Sequence, residues 1–264
     1  MEDDDVPDHG PDYLAPDAIE AMELRDALRS LYLLGDDPYM TMQAVNVSVV
    51  DHFIMGLEYE TLTRLLHDER TPGPEALFLS AQAQMWIFAV YELLRTFRER
   101  AKNVIKWAGN GGLPAKIAAL EKDEGYRHLG RELRAAQLRE LLENPPLIER
   151  LRTDLRLCHI PFRRLEHIRI SLAKHEVAKK QGSIALAPGY GRINAWCGSL
   201  DYQIEKGNVI LGTISRRDIA DELRAMQDRT SIRSDEKIAS FDAFMDADHD
   251  DPFAPFDAAA EGTR

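Results

Sequence analysis

A four-residue breaker, Thr71-Pro72-Gly73-Pro74, divides the two longest stretches of helical periodicity in this chain. Proline removes a backbone donor and glycine has the most conformational freedom to lose, so a regular helix does not run through such a segment. Before it, Asp36-Asp37-Pro38 opens a predicted helix from about Tyr39 to His67. Its apolar residues Val45, Val49, Phe53, Leu57, Leu62 and Leu66 recur every four or five positions. After it, Glu75 to Trp107 reads as a second long helix. Its buried stripe is predicted at Leu77, Ala81, Met85, Phe88, Leu93 or Leu94, and Phe97, and Gly109-Asn110-Gly111-Gly112 ends it.

The rest of the pattern is also helical until late in the chain. Ala21, Leu24, Leu28 and Leu31 form a stripe stopped by Gly35, and shorter helices fit Ala115–Glu121 and Arg131–Leu142. Pro145-Pro146 opens another that runs to Leu157, and a charged helix follows from Pro161, an acceptable first-turn position for proline. After Gly182 the period changes to two. Leu200, Tyr202 and Ile204 alternate with polar residues, Lys206-Gly207-Asn208 turns the chain, and Val209-Ile210-Leu211 returns it. Ser215-Arg216-Arg217-Asp218 resembles a capping box for a last helix through Met226. The predicted fold class is mainly α, a helical bundle with a small C-terminal β-hairpin near residues 199–212.

The net charge of −12 over 264 residues is carried by the ends. Residues 1–20 hold eight Asp/Glu and no Lys/Arg, and residues 227–264 hold ten against four, which leaves the body between them slightly positive. Residues 1–17 and 227–264 are therefore predicted to be disordered acidic tails around a single domain, 18–226. The second tail places phenylalanine among acids in FDAFMD and DPFAPFD, the composition of a segment that docks on a basic groove of another protein. Cys158 and Cys197 are too few for a disulfide framework. The most apolar run, Ala81–Val90, is interrupted by Gln82 and Gln84, and the acidic start is unlike a presequence. These features predict a cytoplasmic protein with no membrane partner.

The segment Ile160–Lys180 carries six Lys/Arg, two His and two Glu on a half-apolar helix. Burying unpaired charge costs several kcal/mol, so these residues form either an ion-paired seam or a site for an anion. Arg163, His167, Ser171 and Lys174 fall within roughly 80° of one another at about 100° per residue, with His175 alongside and Arg164 next to Arg163. Phosphate, a nucleotide or an RNA backbone suits that face.

Within the same helix, the spacing Arg169-x5-His175, late in an all-helical domain, resembles the HEPN superfamily of helical nucleases and nucleotide-binding proteins. The resemblance implies a homodimer in which Arg and His meet in an inter-protomer cleft and cleave RNA without a metal or cofactor. Arg169 would then hold the scissile phosphate and His175 would act as acid and base. Arg163, Arg164, His167 and Lys174 would steer RNA. The chemistry is reasonable, because a guanidinium offsets phosphate charge and an imidazole titrates near neutrality.

Other readings stay open. Arg169 shares a face with Glu176 and lies near Glu166, which would make it half of an ion pair. Glu92 and Arg95 stand three apart in an apolar run, so a partly buried pair joining two helices is expected, with Glu92 able to orient a neighbouring His or Arg. Pro188-Gly189-Tyr190-Gly191-Arg192 could approach a phosphate but has neither G-x-G-x-x-G nor the Walker lysine. No metal is expected: His159, His167 and His175 are eight apart, and Asp251 stands where the glycine of a calcium loop begun by Asp246, Asp248 and Asp250 belongs. Nothing marks Cys197 as a nucleophile.

Overall fold

The computed structural model describes residues 13–173, 192–206, 209–230 and 232–246. Among these, ten α-helices surround one apolar core and carry a small antiparallel sheet. The elements are α1 (Glu23–Arg29), α2 (Tyr32–Gly35), α3 (Pro38–Asp68), α4 (Gly73–Gly109), α5 (Leu113–Glu121), α6 (Leu129–Glu143), α7 (Pro146–Leu157) and α8 (His159–Ala173). Then come β1 (Arg192–Ile193), β2 (Leu200–Lys206), β3 (Val209–Ser215), α9 (Arg216–Arg224) and α10 (Asp235–Asp246). The mainly α class with a small sheet near the C-terminus is as the sequence predicts, and the turn residues 207–208 lie outside the described residues.

Local chemistry sets the boundaries. Asp37 caps α3, its Oδ1 accepting from the amides of Tyr39 (2.9 Å) and Met40 (3.0 Å). The capping box at Ser215 is present, with the Asp218 amide donating to Ser215 Oγ and the Ser215 amide donating to Asp218 Oδ2. The sheet order is β1-β2-β3, with Tyr202 opposite Ile214 and a register shift after Ile204.

α4 is the centre of the fold and packs against α3, α7 and α8. Trp86 is buried and donates its indole N–H to the Val47 carbonyl of α3 at 3.0 Å. By length and composition α4 could cross a bilayer, contrary to the sequence expectation, and one of its faces is buried against these neighbours.

Two further expectations are corrected. Val49, Phe53 and Leu66 of the predicted α3 stripe and Leu77 and Met85 of the predicted α4 stripe point outward, Phe53, Met85 and Leu77 being 54%, 65% and 63% exposed, whereas Leu93, Leu94 and Phe97 of α4 are buried as predicted. The core face of α3 is instead Met40, Ala44, Val47, Ile54 and Met55 together with Asp51 and Glu58, and that of α4 is Leu79, Ala83, Trp86, Ile87, Val90, Leu94 and Phe97. Each helix has two apolar faces, and α3 buries the one that contains acids because α9 supplies arginines to meet them. The Arg216 side chain is fully buried. Its Nε and Nη2 donate to the two oxygens of Glu58, each at 2.7 Å, and its Nη1 donates to Asp51, which also accepts from Arg224. Burial pulls the Arg216 pKa down, but Glu58 and Asp51 outweigh it and hold it above its ordinary value.

Residues 235–246, predicted as part of a disordered segment beginning at 227, form helix α10. Ser234 starts it, with the Lys237 amide donating to Ser234 Oγ, and Met245 is buried against the core.

Candidate functional site: the basic face of α8 and the helix that covers it

The charged face predicted on α8 exists, and α10 lies along it. Arg163 donates from Nη1 to Glu166 (2.9 Å) and from Nη2 to Asp246 (2.7 Å), and its Nε is 3.5 Å from Asp242. Burial opposes the charge, but Glu166 and Asp246 together raise the Arg163 pKa above the ordinary value. Arg164 donates to Glu222 of α9 and lies over the Phe241 ring of α10 at 5.7 Å. Burial pushes the Glu222 carboxyl above the usual range despite Arg164.

His159, on which the sequence reading placed no role, joins the same face. Its Nε2 is 2.8 Å from Asp242 Oδ1 and its Nδ1 is 3.3 Å from the Arg98 guanidinium. A guanidinium only donates, so Nδ1 accepts and Nε2–H donates to Asp242. On α7, Arg156 pairs with Asp235 at 3.1 Å. The pairings Arg156–Asp235, His159–Asp242 and Arg163–Asp246 advance together along the two chains, so α10 runs beside α7 and α8 in the same sense. Asp235, Asp242 and Asp246 sit at i, i+7 and i+11 and share one helical face. Ile238, Phe241 and Met245 at i, i+3 and i+7 were the sequence signal for this helix, diluted by the acids between them.

Arg169, the described member of the proposed catalytic pair, is not on this face. Arg169 is a third of a turn away from Arg163, with its guanidinium carbon 5.1 Å from the Tyr91 ring centroid of α4. Its Nε is buried and has no hydrogen-bond partner among the described residues. Tyr91 in turn stacks on Phe162 at 5.4 Å. His167 borders a small cleft of about 210 Å³ with Arg163, Glu166, Ile170, Met245 and Asp246. Lys174, His175 and Glu176 lie outside the described residues, as do 188–191 of the glycine loop and Asp248, Asp250 and Asp251. Glu92 and Arg95 are not a partly buried helix–helix pair: Arg95 binds Glu92 (2.7 Å) and Glu99 (2.9 Å) on the exposed surface of α4 itself.

Among the described residues no group of three His, Cys, Asp or Glu side chains could hold a metal ion. Burial pushes the Cys197 thiol up to about 12, which makes it a poor nucleophile. No protein-family profile matches the chain, and neither a curated protein nor a solved structure does.

Proposed function

We propose that this chain is a non-catalytic interaction module whose basic α7–α8 face receives an acidic, phenylalanine-bearing helix, α10 being the copy it carries itself. The observation that supports this most directly is the paired seating of Asp242 and Asp246 on His159 and Arg163. Ion pairs that are partly solvated contribute about 0–1 kcal/mol each, so the acids select register more than they hold α10 down. Burial of Met245 and Phe241 supplies the rest, about 1.5–3 kcal/mol for a fully buried apolar side chain. A helix held so lightly can exchange with a partner segment that has carboxylates four apart beside an aromatic residue.

The test uses a chain ending at residue 231 and a labelled peptide spanning 232–246. The shortened chain, verified as folded by circular dichroism, should bind the peptide saturably, and the full chain should bind it at least tenfold more weakly. Added salt and Arg163→Glu should both weaken the complex. A folded, shortened chain that ignores the peptide ends the proposal.

A second reading is a HEPN-like, metal-independent ribonuclease or RNA- or nucleotide-phosphate-binding protein. It is favoured by Arg169, whose guanidinium lies against Tyr91, outside the face that α10 covers. RNA cleavage in EDTA that disappears in a folded His175→Ala variant supports it, and retained cleavage in that variant excludes it. Both readings suit a cytoplasmic protein, with Cys158 and Cys197 as free thiols.

A further inference from the structure

The outward faces of α3 and α4 form one continuous apolar surface. The Trp86–Val47 bond sets the level of the two antiparallel helices, which at about 1.5 Å of rise per residue puts Val49 at about the height of Met85, Phe53 at that of Ala81 and Gly56 at that of Leu77. Going around each helix from its core side through the shared contact leads to the same side of the pair, to Val50 and Phe53 on α3 and to Phe78 and Met85 on α4. These residues are 37–65% exposed. A Cβ built at Gly56 meets nothing within 4 Å, so the surface is open in its middle.

We propose that this surface is the interface of a two-fold homodimer. Its extent favours a partner as large as a second copy: six large apolar side chains, each 37–65% exposed, lie on two side-by-side cylinders, at the upper end of the ~300–600 Å² patches of ordinary monomers and toward the ~800 Å² that each partner contributes to a stable interface. Its charge argues for a second copy over a lipid surface. No Lys or Arg occurs in residues 49–53 or 77–89 and Arg192 borders the surface at its Leu77 end, whereas helices that lie on membranes flank their apolar face with many cations, and the whole chain is −12. A neutral face meeting its own copy leaves no charge unpaired at the centre. Gly56 and Ala81 allow the crossing helices to approach closely. Glu92, Arg95 and Glu99 of α4 mark the edge, already paired with one another.

Sedimentation of the full chain at micromolar concentration should give twice its 29.9 kDa mass. Phe53→Glu combined with Met85→Glu should reduce it to a single chain mass without changing the far-ultraviolet circular dichroism, because both side chains already face solvent. Hydrogen exchange of residues 77–89 in the unmodified chain should slow with rising concentration, a readout independent of whether the variant folds. A native chain that sediments as a monomer overturns the proposal, as does a dimer that persists in the folded double variant. Co-flotation of the native chain with phosphatidylcholine–phosphatidylserine vesicles, lost in the double variant, would assign the face to a bilayer instead. Exchange in 77–89 that is slow at every concentration would assign it to a segment of the same chain.

Discussion

Arg216 on α9 and Glu58 on α3 meet through two parallel N–H···O bonds of 2.7 Å, both side chains buried and 158 residues apart in sequence. The Arg216 guanidinium carbon is also 5.1 Å from the Trp86 ring centroid, so one cation ties α9 to α3 and α4 together. Removing one partner leaves a buried charge uncompensated, at a cost of about 3–5 kcal/mol. Glu58→Gln and Arg216→Met should each lower the denaturant midpoint accordingly. Combining Glu58→Leu with Arg216→Leu should restore part of the loss, since no orphaned charge then remains. Chemical denaturation of all four proteins checks this, and additive losses would refute it.

Gly198, at the mouth of the hairpin, has φ of +73°, and a Cβ there would lie 2.0 Å from the Glu58 carbonyl oxygen. The left-handed backbone alone costs a non-glycine residue about 1 kcal/mol or more, and the clash with α3 backbone adds to it. Gly198→Ala should therefore destabilise by more than 1 kcal/mol and loosen the hairpin from α3. Faster amide exchange in β2 together with a lower melting temperature is the expected result.

Asp37 is where pH acts on the α3 N-terminus. Burial alone would raise its carboxyl pKa, but the Met40 amide, the Arg100 guanidinium and the Tyr39 amide hold it below the usual carboxylate value. A folded pKa below the unfolded one means the group stabilises fully above the unfolded value. That contribution is lost as pH falls through the folded value. Asp37→Ala should cost about 1 kcal/mol at neutral pH, as loss of a cap does. The gap between wild type and variant should close only below about pH 4, the unfolded value. Melting curves from neutral to acidic pH measure it.

Periodicity made the helices legible, because breakers such as Thr71–Pro74 and caps such as Asp37 and Ser215 act through local chemistry. It failed to say which face of α3 is buried. Val49 and Phe53 outrank Asp51 and Glu58 on any hydropathy scale, and only partners on α9, more than 150 residues away, make the acidic face the inner one. The α8 face was legible as a cluster of cations around Arg163 and Arg164. Its occupant was not, since high acid content argues for disorder until a basic surface neutralises it. The Arg169–His175 pair depended on spacing alone, and spacing does not fix which neighbour a side chain meets.

Arg163 is bound by acids at both ends, Glu166 on its own helix and Asp242 and Asp246 on α10. Truncating it to alanine leaves Glu166 to face Asp246 without a cation between them, so the change removes an attraction and leaves a repulsion. Opposed carboxylates on a partly solvated surface are worth tenths of a kcal/mol to about 1 kcal/mol, small against the whole fold but comparable with what holds α10. Arg163→Ala should therefore leave the melting of the body nearly unchanged while α10 opens several-fold more often. The expected signature is protease cleavage between Gln227 and Asp235 at a rate several-fold above wild type, with residues 38–173 still protected. Met245→Ala should produce the same cleavage through lost burial, and high salt should accelerate cleavage of the wild type but have little effect on Arg163→Ala. Equal cleavage rates in wild type and both variants would mean that α10 is held by contacts other than these.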